Sequence, residues 1–218
     1  REREPGSTRG DNRIMSEIRA VCPLLPPPSC LLWDVDGTLI DTTTLIVDAL
    51  GYTYETYFRK NISPEERRAL IGTPLKSQIR IFGEPEAFGQ DPQVVMDGFI
   101  RYYEEHRYRE QILTDVVEIL IEGKRNGLQT ALITSKNIPE LENTLPRLGI
   151  APYVDFIVSA DHVQNPKPDP EGIRLACSHF GLTPTQIAEA VYIGDPTHDM
   201  QAGGGAGVRP IGVTWGAA

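Results

Sequence analysis

Short apolar runs alternate with helical patterns along most of this chain, and that alternation restricts it to few architectures. An early run, Cys30–Trp33, stops at Asp34. Later runs occur at Gln129–Thr134, Val154–Val158, Ala190–Gly194 and Pro210–Val213. Strands that alternate with helices usually form a parallel sheet covered by helices on both faces. The sequence therefore predicts an α/β fold with a parallel sheet at its centre.

Capping signals place helices between these runs. Asn137 precedes Pro139, and Thr183 precedes Pro184, as expected where a polar cap is followed by proline in a first helical turn. Thr114 is predicted to cap a helix that continues through Lys124 and ends near Gly127.

Residues 42–110 interrupt the alternation, because they show helical patterns and no convincing strand. The patterns cover Thr43–Lys60, Pro64–Ile71 with Ser63 as a cap, and Pro92–Tyr108. One crossover between parallel strands needs only about a dozen residues. We therefore expect a Rossmann-like core domain at 29–41 and 111–218, and a small α-helical cap domain at 42–110, inserted after the first strand. Residues 1–28, which end in three prolines, are expected to be a disordered tail.

Composition narrows the possible partners. The formal net charge is −9, which argues against nucleic acid as a partner. No apolar run approaches the roughly 20 residues that span a membrane, and the first residues lack the apolar segment of a signal peptide. The three cysteines, Cys22, Cys30 and Cys177, have no CxxC spacing and are expected to be free thiols. These features predict a cytoplasmic protein with no membrane partner.

Both ends of the sequence allow two interpretations. The chain begins with Arg1, so Met15 is a candidate for the authentic start. It ends at Ala218, soon after the last predicted strand, so a truncated chain is one interpretation. The oligomeric state is left open.

Polar side chains follow several of the predicted strands at the point where each strand ends. They are Asp34 and Asp36, then Thr134 and Ser135, then Asp195 and Asp199. Ligands of open parallel sheets bind beyond the carboxyl ends of the strands. These side chains are therefore expected to lie together.

The residue types favour phosphate chemistry. Two carboxylates as close as Asp34 and Asp36 repel each other unless they share a cation or a proton, and Mg²⁺ prefers oxygen ligands of this kind. Hydroxyls and backbone N–H groups at a strand-to-helix turn can hold phosphate oxygens. Lys167 stands between two prolines and could stabilise a transferring phosphoryl group. Each signal alone also fits an ordinary turn, cap or loop lysine.

Two other features suggest sites less strongly. The run Gly203–Gly207 lacks the GK[ST] and GxGxxG patterns of phosphate loops, so close backbone packing is the better interpretation, although three glycines weaken a helix. His198 is expected to have a surface or supporting role rather than to be a metal ligand.

Four motifs together resemble a known family. The stretch Asp34-Val35-Asp36-Gly37-Thr38, then Thr134, Lys167 and the segment Gly194–Asp199 resemble, in order and spacing, the motifs of the haloacid dehalogenase-like hydrolase superfamily. The resemblance covers residues 30–218, with Pro196 as a departure from the usual pattern. Gly72-Thr73-Pro74-Leu75 and Gly212–Gly216 make the chain most similar to the phosphoglycolate phosphatase and pyrophosphatase group.

The resemblance implies roles in a covalent reaction. Asp34 would attack phosphorus and form an aspartyl-phosphate, while Asp36 would protonate the leaving oxygen and then activate water. Thr134 and Lys167 would bind the transferring phosphoryl group. Mg²⁺ would be held by Asp34, Asp36 through its main-chain carbonyl, and Asp195, with Asp199 as a further ligand or a supporting residue. The remaining substrate contacts would come from Gly37, Thr38, Ser135 and, in the cap, Lys76.

The resemblance also implies a reaction class. A magnesium-dependent phosphatase acting on a small phosphorylated metabolite is expected, with phosphoglycolate as the first candidate. The alternatives are a sugar phosphomutase of the β-phosphoglucomutase type, an inorganic pyrophosphatase, a haloacid dehalogenase and a non-catalytic relative. Relatives of the mutase type usually carry Val or Ile where Thr38 stands, which favours hydrolysis. Arg68 and Arg80 are weaker cap candidates than Lys76 for binding a second anionic group of the substrate.

Overall fold

A computed structural model describes residues 26–71, 75–81 and 83–215, except for the side chain of Pro196. Expectations placed on Met15, Cys22, Gly72, Thr73, Pro74 and Gly216 lie outside these residues. Within the described part of the chain, no helix is both long and apolar enough to cross a membrane. Cys30 and Cys177 are free, as predicted, and both are buried.

The strands confirm the expected parallel sheet. In chain order they are β1 (Cys30–Trp33), β2 (Ile40–Asp41), β3 (Gln111–Ile112), β4 (Gln129–Ile133), β5 (Phe156–Val158), β6 (Val191–Gly194) and β7 (Arg209–Gly212). Five of them form one sheet in the order β5-β4-β1-β6-β7, and all its neighbouring pairs are parallel. β2 and β3 form a separate two-stranded antiparallel ribbon.

Nine helices surround the strands in the described residues. They are α1 (Thr43–Phe58), α2 (Pro64–Arg68), α3 (Leu75–Ile81), α4 (Pro92–Glu105), α5 (Thr114–Arg125), α6 (Ile138–Leu148), α7 (Glu171–His179), α8 (Pro184–Glu189) and α9 (Pro196–Ala206). Ser63, Asn137 and Thr183 each form a capping box, in which the cap side chain and a side chain three residues later bond each other's backbone N–H.

Some predicted boundaries were wrong. Thr114 is not a cap but the first residue of α5, which begins after Leu113 without a side-chain capping bond. Helices α1, α2 and α4 end two or three residues before their predicted ends. In α1 the reason is local, because Arg59 adopts the left-handed conformation that commonly ends a helix.

Residues of the sheet contribute to two separate hydrophobic clusters. Trp33 and Leu132 belong to a cluster that includes Leu120 of α5. Leu32 belongs to the other cluster, which includes Ile173 of α7. Successive strand residues face opposite sides of a sheet, so both faces of β1 are buried. A sheet buried on both faces explains why its strands read as nearly continuous apolar runs.

The helices between β2 and β3 have a hydrophobic cluster of their own. It joins Leu50 and Phe58 of α1, Ile79 of α3, and Val95 and Phe99 of α4. The chain leaves the sheet region through β2 and returns beside it through β3, where Ile40 pairs with Ile112 and Asp41 with Gln111. This arrangement supports our division into a core and a cap at residues 42–110, which we retain as a proposal.

Gly203, Gly204 and Gly205 lie within α9, and Gly207, in the left-handed conformation with φ 82°, ends the helix. A Cβ atom added to Gly203 would lie 3.0 Å from Cβ of Pro210, and one added to Gly205 would lie 3.3 Å from Cγ of Pro170. The two glycines thus allow α9 to pack closely against neighbouring proline rings, as the close-packing interpretation predicted.

Candidate active site

The register of the sheet brings three strand ends to one edge. Trp33, the last residue of β1, pairs with Leu132 of β4 on one side and with Ile193 of β6 on the other. Asp34 follows directly after β1, and its backbone N–H donates to the carbonyl of Ile193. The polar residues that follow these strands therefore emerge side by side.

An ion pair between Asp34 and Lys167 forms the centre of this edge. Lys167 lies between β5 and α7, far from Asp34 in the sequence, and its Nζ is 2.6 Å from Asp34 Oδ1. The same Nζ is 2.8 Å from Asp199 Oδ1. All three side chains are at least nine-tenths buried. Buried charges require such partners, because their hydration is lost.

Burial and the neighbouring charges shift the pKa values of this pair. Burial raises the pKa of Asp34 to about 7, with Lys167 lowering it and the nearby Asp199 carboxylate adding to the rise. Burial also disfavours the charged form of Lys167, but Asp199 and Asp34 raise its pKa well above the ordinary value. The lysine therefore remains a cation. Nearby carboxylates disfavour the charged form of Asp34, and any nearby positive charge favours it.

Both carboxylate oxygens of Asp199 have hydrogen-bond or ion-pair partners. Its Oδ1 accepts a hydrogen bond from the hydroxyl of Tyr192 at 2.8 Å, in addition to the ion pair with Lys167. Its Oδ2 accepts from the backbone N–H of Asp195 at 2.9 Å. A Cβ atom at Gly194 would lie 2.3 Å from Asp199 Oδ2, so only glycine leaves room for this arrangement. In this structure Asp199 orients Lys167 and the turn at Asp195.

Tyr192 was missed by sequence reasoning. Its hydroxyl also lies 3.3 Å from Lys167 Nζ, although the residue belongs to the buried strand β6. The available signal was a phenol two residues before the glycine that precedes Asp195, within an otherwise apolar run.

The turn after β1 holds Asp34 from the other side. Thr38 is fully buried, and its hydroxyl donates to Asp34 Oδ2 at 3.3 Å. Gly37 has φ 77°, a left-handed conformation that glycine adopts without strain, and its N–H donates to Ile40. The indole of Trp215 donates to the carbonyl of Thr38 at 3.4 Å. Thr38 and Gly37 therefore shape the turn, and neither lines the cleft described below.

The two residues after β4, Thr134 and Ser135, differ in burial and in the cavities that they line. Thr134 is buried, and its hydroxyl accepts from the backbone N–H of Lys136 at 3.1 Å. Ser135 is exposed and lines the cleft. Thr134 lines a smaller adjoining pocket of about 180 Å³, which also contains Ser135 and Lys167.

A second buried lysine, Lys136, was not assigned a role from the sequence. Its Nζ lies 3.0 Å from Asp36 Oδ1 and 5.5 Å from the ring centre of Tyr103 in α4. The Tyr103 hydroxyl donates to Glu110, which also pairs with Arg147 of α6. Asp36 is thereby linked to the helices on the opposite side of the site.

A cleft of about 260 Å³ opens above the sheet edge. Its core wall includes Asp34, Asp36, Lys167, Asp195 and Asp199, so the structure brings these predicted residues together in one cavity. Its opposite wall comes from α1, α2, α3 and α4 and includes Arg68. Lys76 is exposed and does not line the cleft. Arg80 pairs instead with Glu84 and Glu86.

The fit of these residues to a metal ion can be judged from their chemistry. Within residues 26–71, 75–81 and 83–215, no group of three or more His, Cys, Asp or Glu side chains is arranged as a ligand set. Mg²⁺ typically takes only one or two protein carboxylates and completes its shell with water and phosphate. The oxygens of Asp34 and Asp195 at the cleft, together with the carboxylate crowding around Asp34, fit such an ion. His198 lines the cleft but is not part of any ligand group.

Comparison with known proteins decides the family. A family model described as haloacid dehalogenase-like hydrolase matches residues 31–213. The chain belongs to the haloacid dehalogenase-like hydrolases. The motif resemblance found in the sequence is thereby confirmed.

Relatives of this haloacid dehalogenase-like hydrolase include pyrophosphatase PpaX of Bacillus velezensis. It is 34% identical over 192 residues, which cover 86% of this chain and 83% of the relative. A structure of a predicted phosphoglycolate phosphatase from Haemophilus somnus matches with a TM-score of 0.73 and 22% identity, covering 87% of this chain and 86% of that one. The structure of CbbY from Rhodobacter sphaeroides in complex with phosphate matches with a TM-score of 0.70 and 24% identity, covering 84% of each chain. The two structural matches show that the fold is shared.

Proposed function

We propose that this protein is a magnesium-dependent phosphatase that hydrolyses a small phosphate monoester through an aspartyl-phosphate intermediate. The observation that carries the proposal is the buried Asp34, held at 2.6 Å by Lys167 and opening into the cleft. A carboxylate fixed beside a cation is suited to attack phosphorus while the cation stabilises charge on the transferring group. Family membership and relatives named as phosphatases support it.

In the first half of the proposed reaction, a carboxylate oxygen of Asp34 forms a bond to phosphorus as the bond to the ester oxygen breaks. Asp36 gives a proton to the leaving oxygen. Lys167 balances charge on the phosphoryl oxygens, and Ser135 offers a hydroxyl at the cleft surface. Asp199 and Tyr192 keep the ammonium of Lys167 directed at Asp34.

In the second half, Asp36 takes a proton from water, and the water oxygen attacks phosphorus. The bond to Asp34 breaks, phosphate leaves, and the carboxylate is restored. Lys136 holds the Asp36 carboxylate in the cleft between the two steps. A Mg²⁺ ion held by Asp34, the main-chain carbonyl of Asp36 and Asp195 would reduce the repulsion between the anionic nucleophile and the anionic substrate.

Phosphate release decides between hydrolysis and the alternatives. We expect release from small phosphate monoesters in the presence of Mg²⁺, and loss of at least 95% of it after exhaustive chelation, restored by added Mg²⁺. Activity on 2-haloacids that survives chelation would instead identify a dehalogenase. Conversion of β-glucose 1-phosphate to the 6-phosphate without free phosphate would identify a mutase.

Two further assignments belong to this proposal. Inorganic pyrophosphate is a second candidate substrate, because the Bacillus velezensis relative is named a pyrophosphatase. A cytoplasmic location is supported by the free thiols of Cys30 and Cys177, which are typical of reducing compartments.

A further inference from the structure

The cleft is lined by more carboxylates than cations. Among the described residues that line it, six carry carboxylates and three carry cations. Two of the cations are already paired, Lys167 with Asp34 and Asp199, and Lys136 with Asp36. Arg68 is therefore the one cation among these lining residues without such a pair, and the paired lysines offer little positive charge beyond one phosphoryl group.

The wall opposite Asp34 is mainly apolar. The described residues there include Ile46 of α1, Ile71, Leu75 of α3, and Phe99 and Ile100 of α4. Such a wall binds a leaving group through apolar contact rather than through ion pairs. A cleft of about 260 Å³ suits a small leaving group.

Two carboxylates lie beside the apolar wall. Glu104 of α4 is exposed and pairs with Arg107, which lies outside the cleft. Glu140 of α6 is partly buried, and one of its oxygens accepts from the backbone N–H of Asn137 at 2.8 Å. A second anionic group on the substrate would be brought near these like charges, and water screens the partly buried Glu140 less than the exposed Glu104.

We propose that this hydrolase prefers phosphate monoesters of small alcohols that are uncharged or cationic and have an apolar face, and that it discriminates against substrates with a second anionic group. This inference rests on the proposed phosphatase activity. It predicts that phosphoglycolate and pyrophosphate are poor substrates, although sequence resemblance and the names of relatives suggest them.

Arg68 is the feature that could produce the opposite preference. It lines the cleft from α2, is exposed, and has no carboxylate partner among the described residues. Because it lies at an exposed position, water screens its charge, and we expect it to offset the partly buried Glu140 only weakly.

Four substrates of similar size test the proposal. We would measure kcat/KM with Mg²⁺ for propyl phosphate, phosphoethanolamine, phosphoglycolate and pyrophosphate. We expect the first two to exceed the last two by about 10-fold or more. Equal or better values for phosphoglycolate or pyrophosphate would overturn the inference and leave the phosphatase activity standing. No phosphate release from any of the four would overturn the phosphatase activity itself.

Charge-neutralising variants test the cause. We expect Glu104→Gln and Glu140→Gln each to raise the ratio of kcat/KM for phosphoglycolate to that for propyl phosphate by about 3-fold to 10-fold. Glu105→Gln is the matched control, because Glu105 neighbours Glu104 on α4, is exposed and does not line the cleft. An unchanged ratio in both cleft variants would overturn the proposal. So would Arg68→Gln lowering the ratio by about 10-fold, since Arg68 would then recruit a second anion.

Discussion

The two walls of the cleft differ in polarity, because the core wall is a network of charged side chains and the cap wall is mainly apolar. On the core wall, Asp34, Lys167 and Asp199 hold one another through contacts of 2.6–2.8 Å, and all are nearly buried. On the cap wall, the side chains are mainly apolar, and Ile100 is 38% exposed. A fixed polar network suits a reaction whose geometry is the same for every substrate. The looser apolar wall is suited to selecting the leaving group.

The largest effect should come from removing the nucleophile on the core wall. For Asp34→Asn we expect turnover to fall by roughly 10⁴-fold, because the amide cannot form the aspartyl-phosphate. Initial rates of phosphate release with Mg²⁺ provide the measurement. Asp115→Asn is a suitable control, since Asp115 is exposed on α5 and should leave the rate unchanged. Turnover in Asp34→Asn within 10-fold of the parent would show that another residue attacks phosphorus.

Removing the central cation should damage both stability and catalysis. Lys167→Met leaves Asp34 and Asp199 buried without their partner, so we expect the free energy of unfolding to fall by about 3–5 kcal/mol. We also expect kcat to fall by about 10²-fold to 10³-fold. The matched control is Lys124→Met, which breaks the partly exposed pair with Asp155 and should cost about 0–1 kcal/mol. Denaturant titration compares the two, and equal losses would contradict the importance of burial.

A single methyl group at Gly194 should disturb the same network indirectly. Gly194→Ala places a Cβ 2.3 Å from Asp199 Oδ2, so we expect Asp199 to be displaced, with about 1–3 kcal/mol of stability and roughly 10-fold in kcat lost. At Gly204 in α9, a Cβ meets nothing within 4 Å. Gly204→Ala should therefore stabilise the protein by about 0.5–1 kcal/mol. Thermal unfolding of both variants checks this, and two changes of the same sign would refute the packing explanation.

The smallest expected effect lies on the cap wall. Ile100→Ala removes part of the apolar surface of the cleft, so we expect KM for propyl phosphate to rise by about 3-fold while kcat changes little. Val94→Ala on the same helix is the control, because Val94 is exposed and lies outside the cleft. A loss in kcat comparable to that of Lys167→Met would show that the two walls are not separable in function.

Several residues of the core wall could be proposed from the sequence because they follow strand ends. An apolar run that stops at a carboxylate, as at Asp34, is visible without a structure, and the register of parallel strands then brings such ends together. The capping boxes at Ser63, Asn137 and Thr183 were likewise visible as local patterns.

The contacts of the cap wall could not be predicted in this way. Lys76 and Arg68 are both cations in the same helical region, yet only Arg68 lines the cleft. Which one does so depends on how α2 and α3 pack on the rest of the cap, and helical periodicity does not specify that orientation. The contacts from Lys136 to Tyr103 and from Tyr103 to Glu110 could not be predicted from the sequence either, because they join residues from separate elements.

The ribbon of β2 and β3 brings the two ends of the cap segment, residues 42–110, next to each other. Asp41 and Gln111 stand opposite each other in an antiparallel pair, the geometry in which a two-residue hairpin turn closes a chain. A short Asn-Gly turn could thus replace residues 42–110 without stretching the flanking backbone. The parallel sheet and the Asp34–Lys167 pair lie outside the replaced segment, so both would be retained while the cap side of the cleft would become open.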